Sequence, residues 1–307
     1  MYSATTRLLA MILIYVFFIT GCGQAGLRTT RSTTQDDTGA GINIVTSFYP
    51  VYIATINVAG DIPGVSVKNM TKPQTGCLHD YSLKPEDLKT LEKADVFVIN
   101  GAGMEAFLDN VIKQRKNLKI VVASEDIQLL KGKSGEVNAH VWVSITNAIT
   151  YVNNIASQLS EIDAANADSY KANAAAYIHK LEVLKKVMHS AIDSLGNRDI
   201  ITFHEAFPYF AQEFNLNIAA VVERDPGSEP TSKELDGIID MVKQSGITAL
   251  FAEPQYSTKA ADVIARETGA RVFILDPVVT GEASPDSHNA YITAMEQNKK
   301  TLLDALR

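Results

Sequence analysis

His204, Glu253 and Asp276 fall just past short β-branched runs, and two more of the six histidines, His79 and His140, lie in the segments that follow two others, His79 before the Pro85 helix and His140 just before Val141-Trp142-Val143. Imidazole and carboxylate are the usual donors to zinc, and four of them close a tetrahedron at about 2.0–2.2 Å. Three neutral imidazoles and one carboxylate around Zn²⁺ leave a net charge of about +1, easier to hold in a low-dielectric cleft than a bare dication. A histidine at a strand end serves equally well as a hydrogen-bonded loop residue, so the pattern alone leaves both roles open. Asp276 precedes Pro277, which alone would make a turn. Glu253 reads as a group lying behind the ligands or as an ion-paired residue. His179 and His189 read as solvated helix residues, and His288 stands near the start of the last helix.

The elements that must position these residues are read from periodicity. Residues 42–47, 65–70, 95–100 and 119–124 are short apolar strands. Helical stretches lie between them at 49–60, 85–94 and 104–116. Residues 144–193 carry apolar side chains at spacings of three and four and contain no strand signal. Their second part, about 165–193, reads as one long helix. Strands then resume at 199–203, 217–223, 248–252 and 271–275, with helices at 205–214, 231–246, 259–269 and about 289–306. Alternation of this kind predicts an α/β protein of two parallel-sheet lobes joined by one long rigid helix. Ligands of open α/β sheets bind off the carboxyl ends of strands, which places the candidate residues at an inter-lobe cleft.

Composition narrows the function classes. The 307 residues are 46% hydrophobic and 21% charged, sufficient for a sizeable core. The 28 basic residues against 35 acidic ones, with no basic tract, argue against nucleic acid. Cys22 and Cys77 are the only cysteines, so no disulfide scaffold exists. Residues 1–21 hold a single charge, Arg7, and a run of about 12 apolar residues, shorter than the roughly 20 a bilayer requires. The run ends in Ile19-Thr20-Gly21-Cys22, which resembles a lipobox, in which the cysteine thiol is acylated and becomes the new N-terminus. The expected organisation is a lipoprotein signal peptide over 1–21 and a Gly/Thr/Ser-rich tether over 22–41. An N-terminal lobe over 42–164, a linking helix over 165–193 and a C-terminal lobe over 194–307 follow. The body would be a monomer, extracytoplasmic and attached to the cell membrane through lipid alone.

Competing motifs are weaker. Gly101-Ala102-Gly103-Met104-Glu105-Ala106 fits a dinucleotide fingerprint, but it sits after the third strand and in an exported chain; a glycine turn opening a helix explains it. Lys131-Gly132-Lys133-Ser134 lacks the first glycine of a phosphate loop, because residue 127 is Ile127. A zinc hydrolase would require an open coordination position and a base such as Glu205 or Glu253. Pro208 stands where the second histidine of H-E-x-x-H would be. Four protein ligands would leave no water to activate, so no enzyme is expected. An adhesion lipoprotein would require an extra domain or repeats, and neither is visible.

Five collinear strings carry a resemblance. They are Gly76-Cys77-Leu78-His79-Asp80-Tyr81, Asn138-Ala139-His140-Val141-Trp142, Thr202-Phe203-His204-Glu205-Ala206-Phe207, Phe251-Ala252-Glu253-Pro254-Gln255 and Leu275-Asp276-Pro277. Over about residues 42–307 the chain resembles the zinc and manganese binding proteins of bacterial ABC transporters, the TroA-like or ZnuA-like group. The resemblance implies His79, His140, His204 and Asp276 as metal ligands and an ABC permease as partner. Members that bind manganese are expected to carry a carboxylate where this chain has His204. Imidazole suits zinc and oxygen donors suit Mn²⁺, so Zn²⁺ is the favoured ion and Mn²⁺ the alternative. The chain departs from the group in lacking the histidine-rich loop; residues 126–139 contain no histidine. Cys77, two residues before His79, reads as a small apolar filler or as a softer additional ligand. Because imidazole must be unprotonated to bind, affinity should fall as pH drops through about 6.5.

Overall fold

The computed structural model describes residues 41–73, 77–78, 81–132, 135–222 and 230–307. The expected signal peptide, nearly all of the tether with Cys22, and His79 lie outside the described residues. Residues 39–307 form one compact unit. No helix among the described residues is long and apolar enough to cross a membrane.

Two four-stranded parallel sheets organise that unit. β1 (Ile42–Thr46), β2 (Val65–Asn69), β3 (Val96–Ile99) and β4 (Lys119–Val122) lie in the order β2-β1-β3-β4. β5 (Asp199–Thr202), β6 (Asn217–Val221), β7 (Ala249–Ala252) and β8 (Arg271–Ile274) repeat that order as β6-β5-β7-β8. In each sheet the direction of winding reverses between the first and third strands, which opens a crevice beyond their carboxyl ends. The central strands are covered on both faces, and β7, Ala-Leu-Phe-Ala, is buried throughout.

The helices largely follow the periodicity. α1 (Tyr49–Ala59) is buried on nearly every side because it lies against β2, α4 (Ile145–Ile162) and the long α5 (Ala167–Ile192). α2 (Pro85–Glu92) starts with Pro85 and has Glu86 and Asp87 in its first turn. The helix read at 104–116 is instead a 3₁₀ turn, Ala106–Leu108, followed by α3 (Asp109–Gln114). Gly101, Ala102 and Gly103 all have positive φ, and Glu105 (φ −102°, ψ 25°) turns inward, so regular helix is delayed. α6 (Pro208–Glu213) likewise begins only at its proline. α7 (Ser232–Ser245) is capped by Thr231 and Glu234 and ends at Gly246, φ 69°. α8 (Lys259–Thr268) and α9 (Ala290–Leu306) complete the second lobe.

The long helix is not the only join between the lobes. One apolar core runs from Ile44 and Tyr52 through Leu181 and Met188 of α5 to Phe210, Phe251 and Leu275. α9 packs along α5 and reaches α1. The inner face of the second lobe is therefore part of the same core as the first, while the outer helices α7 and α8 cover a separate cluster around Leu250.

Candidate metal centre

The first lobe brings Cys77, after β2, and His140, between β4 and α4. The second brings His204, two residues after β5. One donor atom from each of Cys77, His140 and His204 lies within 4.8 Å of the other two. The Nε2 atoms of His140 and His204 are 3.2 Å apart, and Cys77 Sγ is 3.3 Å from His140 Nε2. All three side chains are buried: His140 is 1% exposed, His204 2% and Cys77 6%.

The tautomer of His140 follows from its surroundings. Asn138 Oδ1 accepts from the His140 backbone N–H at 3.0 Å, and Asn138 Nδ2 donates to the Glu205 carbonyl at 2.8 Å. These two bonds fix which end of the amide is oxygen. The 3.1 Å contact between Asn138 Oδ1 and His140 Nδ1 therefore has Nδ1–H as donor. The lone pair is left on Nε2, the atom facing His204 and Cys77. A ring nitrogen held by an acceptor behind it is the usual support of a metal-binding imidazole. Tyr209, on α6, clamps the same loop: its hydroxyl donates to the Asn138 carbonyl at 2.7 Å and accepts from the Leu130 N–H at 2.9 Å.

Glu253 follows β7 and is 1% exposed; Gln255 Nε2 donates to its Oε2. Burial, then the charge of Glu253, push the Cys77 thiol well up, against a hydrogen bond with Tyr256. The Tyr256 ring stands edge-on to His204 at 5.9 Å. Asp276 follows β8 and is half-buried. Its backbone N–H donates to Asn298 Oδ1 at 2.8 Å and its Oδ1 accepts from the Val278 N–H at 2.7 Å. Burial raises its carboxyl and the Val278 N–H opposes the rise. Asp276 and Glu253 are not in the tight group formed by Cys77, His140 and His204 among the described residues. His79, the remaining candidate, lies outside those residues.

The glycine turn at 101–103 carries its own anion. Glu105 Oε1 accepts from Ser47 Oγ and the Asn100 N–H, both at 2.8 Å, and Oε2 from the Gly101 N–H at 3.0 Å. The backbone donors that a phosphate would require are thus occupied by a buried carboxylate, which fills the crevice between β1 and β3. In the second lobe the corresponding crevice is flanked by His204 and Glu253. Asn138 lies within one of the five strings with no role evident from its residue type, and no sequence pattern marks Tyr256. The only signal for Asn138 was its place two residues before His140.

The family model described as zinc-uptake complex component A, periplasmic (ZnuA) matches residues 44–305. The zinc-binding protein AdcA of Streptococcus pyogenes serotype M6 is 30% identical over 96% of this chain and 60% of its own length. The high-affinity zinc uptake system protein ZnuA of Bacillus subtilis is 28% identical over 94% of this chain and 93% of its own length. The crystal structure of Zn(II)-bound AdcA from Streptococcus pneumoniae superposes with a TM-score of 0.75 at 31% identity, covering 87% of this chain and 58% of that one. The chain thus spans about 60% of the length of the AdcA relatives it matches. A family match over almost the whole described body, on a fold of paired parallel sheets that converge two buried imidazoles, makes this chain a member of the ZnuA family.

Proposed function

We propose that this protein captures a divalent transition metal, Zn²⁺ in preference to Mn²⁺, between its two lobes and delivers it to an ABC permease. The observation that carries the reading is the 3.2 Å approach of two buried imidazole nitrogens, His140 Nε2 from one lobe and His204 Nε2 from the other. Nitrogen donors of this kind favour zinc over the harder manganese ion. His79 and Asp276 are the further ligands in this reading, with Glu253 behind them. The names of the AdcA and ZnuA relatives, a zinc-binding protein and a zinc uptake protein, support it. Export and lipid attachment through Cys22 would place the site outside the cytoplasm, where the family description also puts its members.

The mechanism is carriage by ligand exchange. The side-chain amide oxygen of Asn138 holds Nδ1–H of His140 and presents Nε2; the ion replaces the direct approach of His140 to His204 and ties the lobes. The test is a competitive zinc titration of the metal-free protein and of His204→Ala. The variant should lose more than about 100-fold in affinity while keeping its circular dichroism spectrum. Equal zinc affinity in the two proteins would refute the site.

A further inference from the structure

The donor geometry reaches beyond the imidazoles. Zinc at about 2.0–2.1 Å from nitrogen and about 2.3 Å from sulfur sets tetrahedral edges of roughly 3.3 Å between two nitrogens and roughly 3.6 Å between nitrogen and sulfur. The observed separations are 3.2 Å for His140 Nε2 to His204 Nε2 and 3.3 Å for Cys77 Sγ to His140 Nε2. Cys77 thus stands at the distance of a neighbouring ligand. A packing residue requires no such relation to the lone pair that Asn138 has aimed at this point. The thiol is enclosed, at 6% exposure, on the same side of His140 as His204.

We propose that Cys77 binds the ion directly as a thiolate. The centre is then a mixed nitrogen and sulfur site for thiophilic divalent ions such as zinc and cadmium, in which Cys77 takes the tetrahedral position given above to Asp276, which stands outside the tight group, and sulfur is the element that discriminates against manganese. The inference rests on the metal-capture reading above and sharpens its specificity. On binding, the Cys77 S–H bond breaks, the sulfur electron pair forms the bond to the metal, and one proton leaves to solvent. No change of oxidation state is involved. Soft donors raise affinity for zinc and cadmium and do little for the oxygen-preferring manganese ion.

Cobalt(II) tests this directly. The cobalt-loaded protein should show a near-ultraviolet thiolate-to-cobalt charge-transfer band beside its visible ligand-field bands. Cys77→Ser, which keeps Cys22, should lose the first and keep the second. Its cadmium affinity should fall by at least about 10–100-fold, with manganese affinity changed less than threefold. Ligand-field bands without a charge-transfer band in the unaltered protein would overturn the sulfur assignment and leave the imidazole site standing. If the serine variant does not fold, Cys22→Ser decides the matter: a charge-transfer band kept in it assigns the sulfur to Cys77, and a band lost in it overturns that assignment. A protein that takes up neither cobalt nor zinc would overturn the metal-capture reading itself, and this inference with it.

Discussion

The indole N–H of Trp142 donates to the backbone carbonyl of Pro277 at 2.8 Å. This bond ties the segment that carries His140 to the segment that carries Asp276. It crosses from the first lobe to the second, and the Tyr291 hydroxyl extends it by donating to the Trp142 carbonyl at 2.9 Å. The residue after Pro277, Val278, has φ 63°, a backbone conformation that a β-branched residue holds only where its surroundings impose it. The inter-lobe join is therefore built into the walls of the candidate site.

Trp142→Phe should remove that bond and leave a buried carbonyl unmet, at a cost of about 1–3 kcal/mol. A thermal melt of the metal-free variant should show Tm lower by roughly 2–6 °C. Trp142 is the single tryptophan and its ring centre is 5.3 Å from that of His140. Intrinsic fluorescence of the unaltered protein should change on zinc binding, and an invariant emission spectrum would separate Trp142 from the ion.

Asn138→Ala should free the His140 ring to take the other tautomer. Zinc affinity should fall by about 10–100-fold, the usual effect of losing a group that orients a metal-binding histidine. Titration with a competing chelator measures it. A variant with the original affinity would show that the ring is oriented by packing alone.

Glu105 supplies a pH signature unconnected with metal. Burial is the main cause that raises its carboxyl to about 7, against the bonds from Ser47, Asn100 and Gly101. The folded state therefore favours the protonated form. The contribution is complete below the ordinary carboxylate range and is lost as pH rises through about 7. Denaturant unfolding of the metal-free protein and of Glu105→Gln should show the stability advantage of the former shrinking by about 2–3 kcal/mol between roughly pH 5 and pH 8. A pH-independent difference would show that the carboxylate stays ionised.

Gly281→Ala should disturb the closure of the lobes. A Cβ there would lie 2.5 Å from Tyr49 Cε1, on α1, and Gly281 N–H donates to the Pro73 carbonyl at 3.1 Å, just before the loop that carries Cys77. Tyr49 is buried in the core, so the clash cannot be relieved into solvent. Destabilisation of about 1–3 kcal/mol is expected in a melt, with weaker zinc binding in the same preparation. An unchanged melt would mean that Tyr49 yields freely.

Local patterns along the chain set the elements and the chemistry carried on them. β-Branched runs and spacings of three and four give strands and helices because local sterics and one-sided burial act over a few residues. Proline at the start of α2 and glycine at the ends of α7 and α8 mark boundaries for equally local reasons. The strand-end positions of His204 and Asp276, and the place of His140 in the segment between β4 and α4, were legible for the same cause. The delay of α3 was not, because it depends on where the Glu105 side chain turns. Long-range packing alone makes His140 and His204, 64 residues apart, face each other at 3.2 Å. The same packing sets Cys77 with them and Asp276 outside that tight group, and fuses the lobes in one core. Distances between remote residues are set by how whole sheets and helices pack, and no local pattern encodes them.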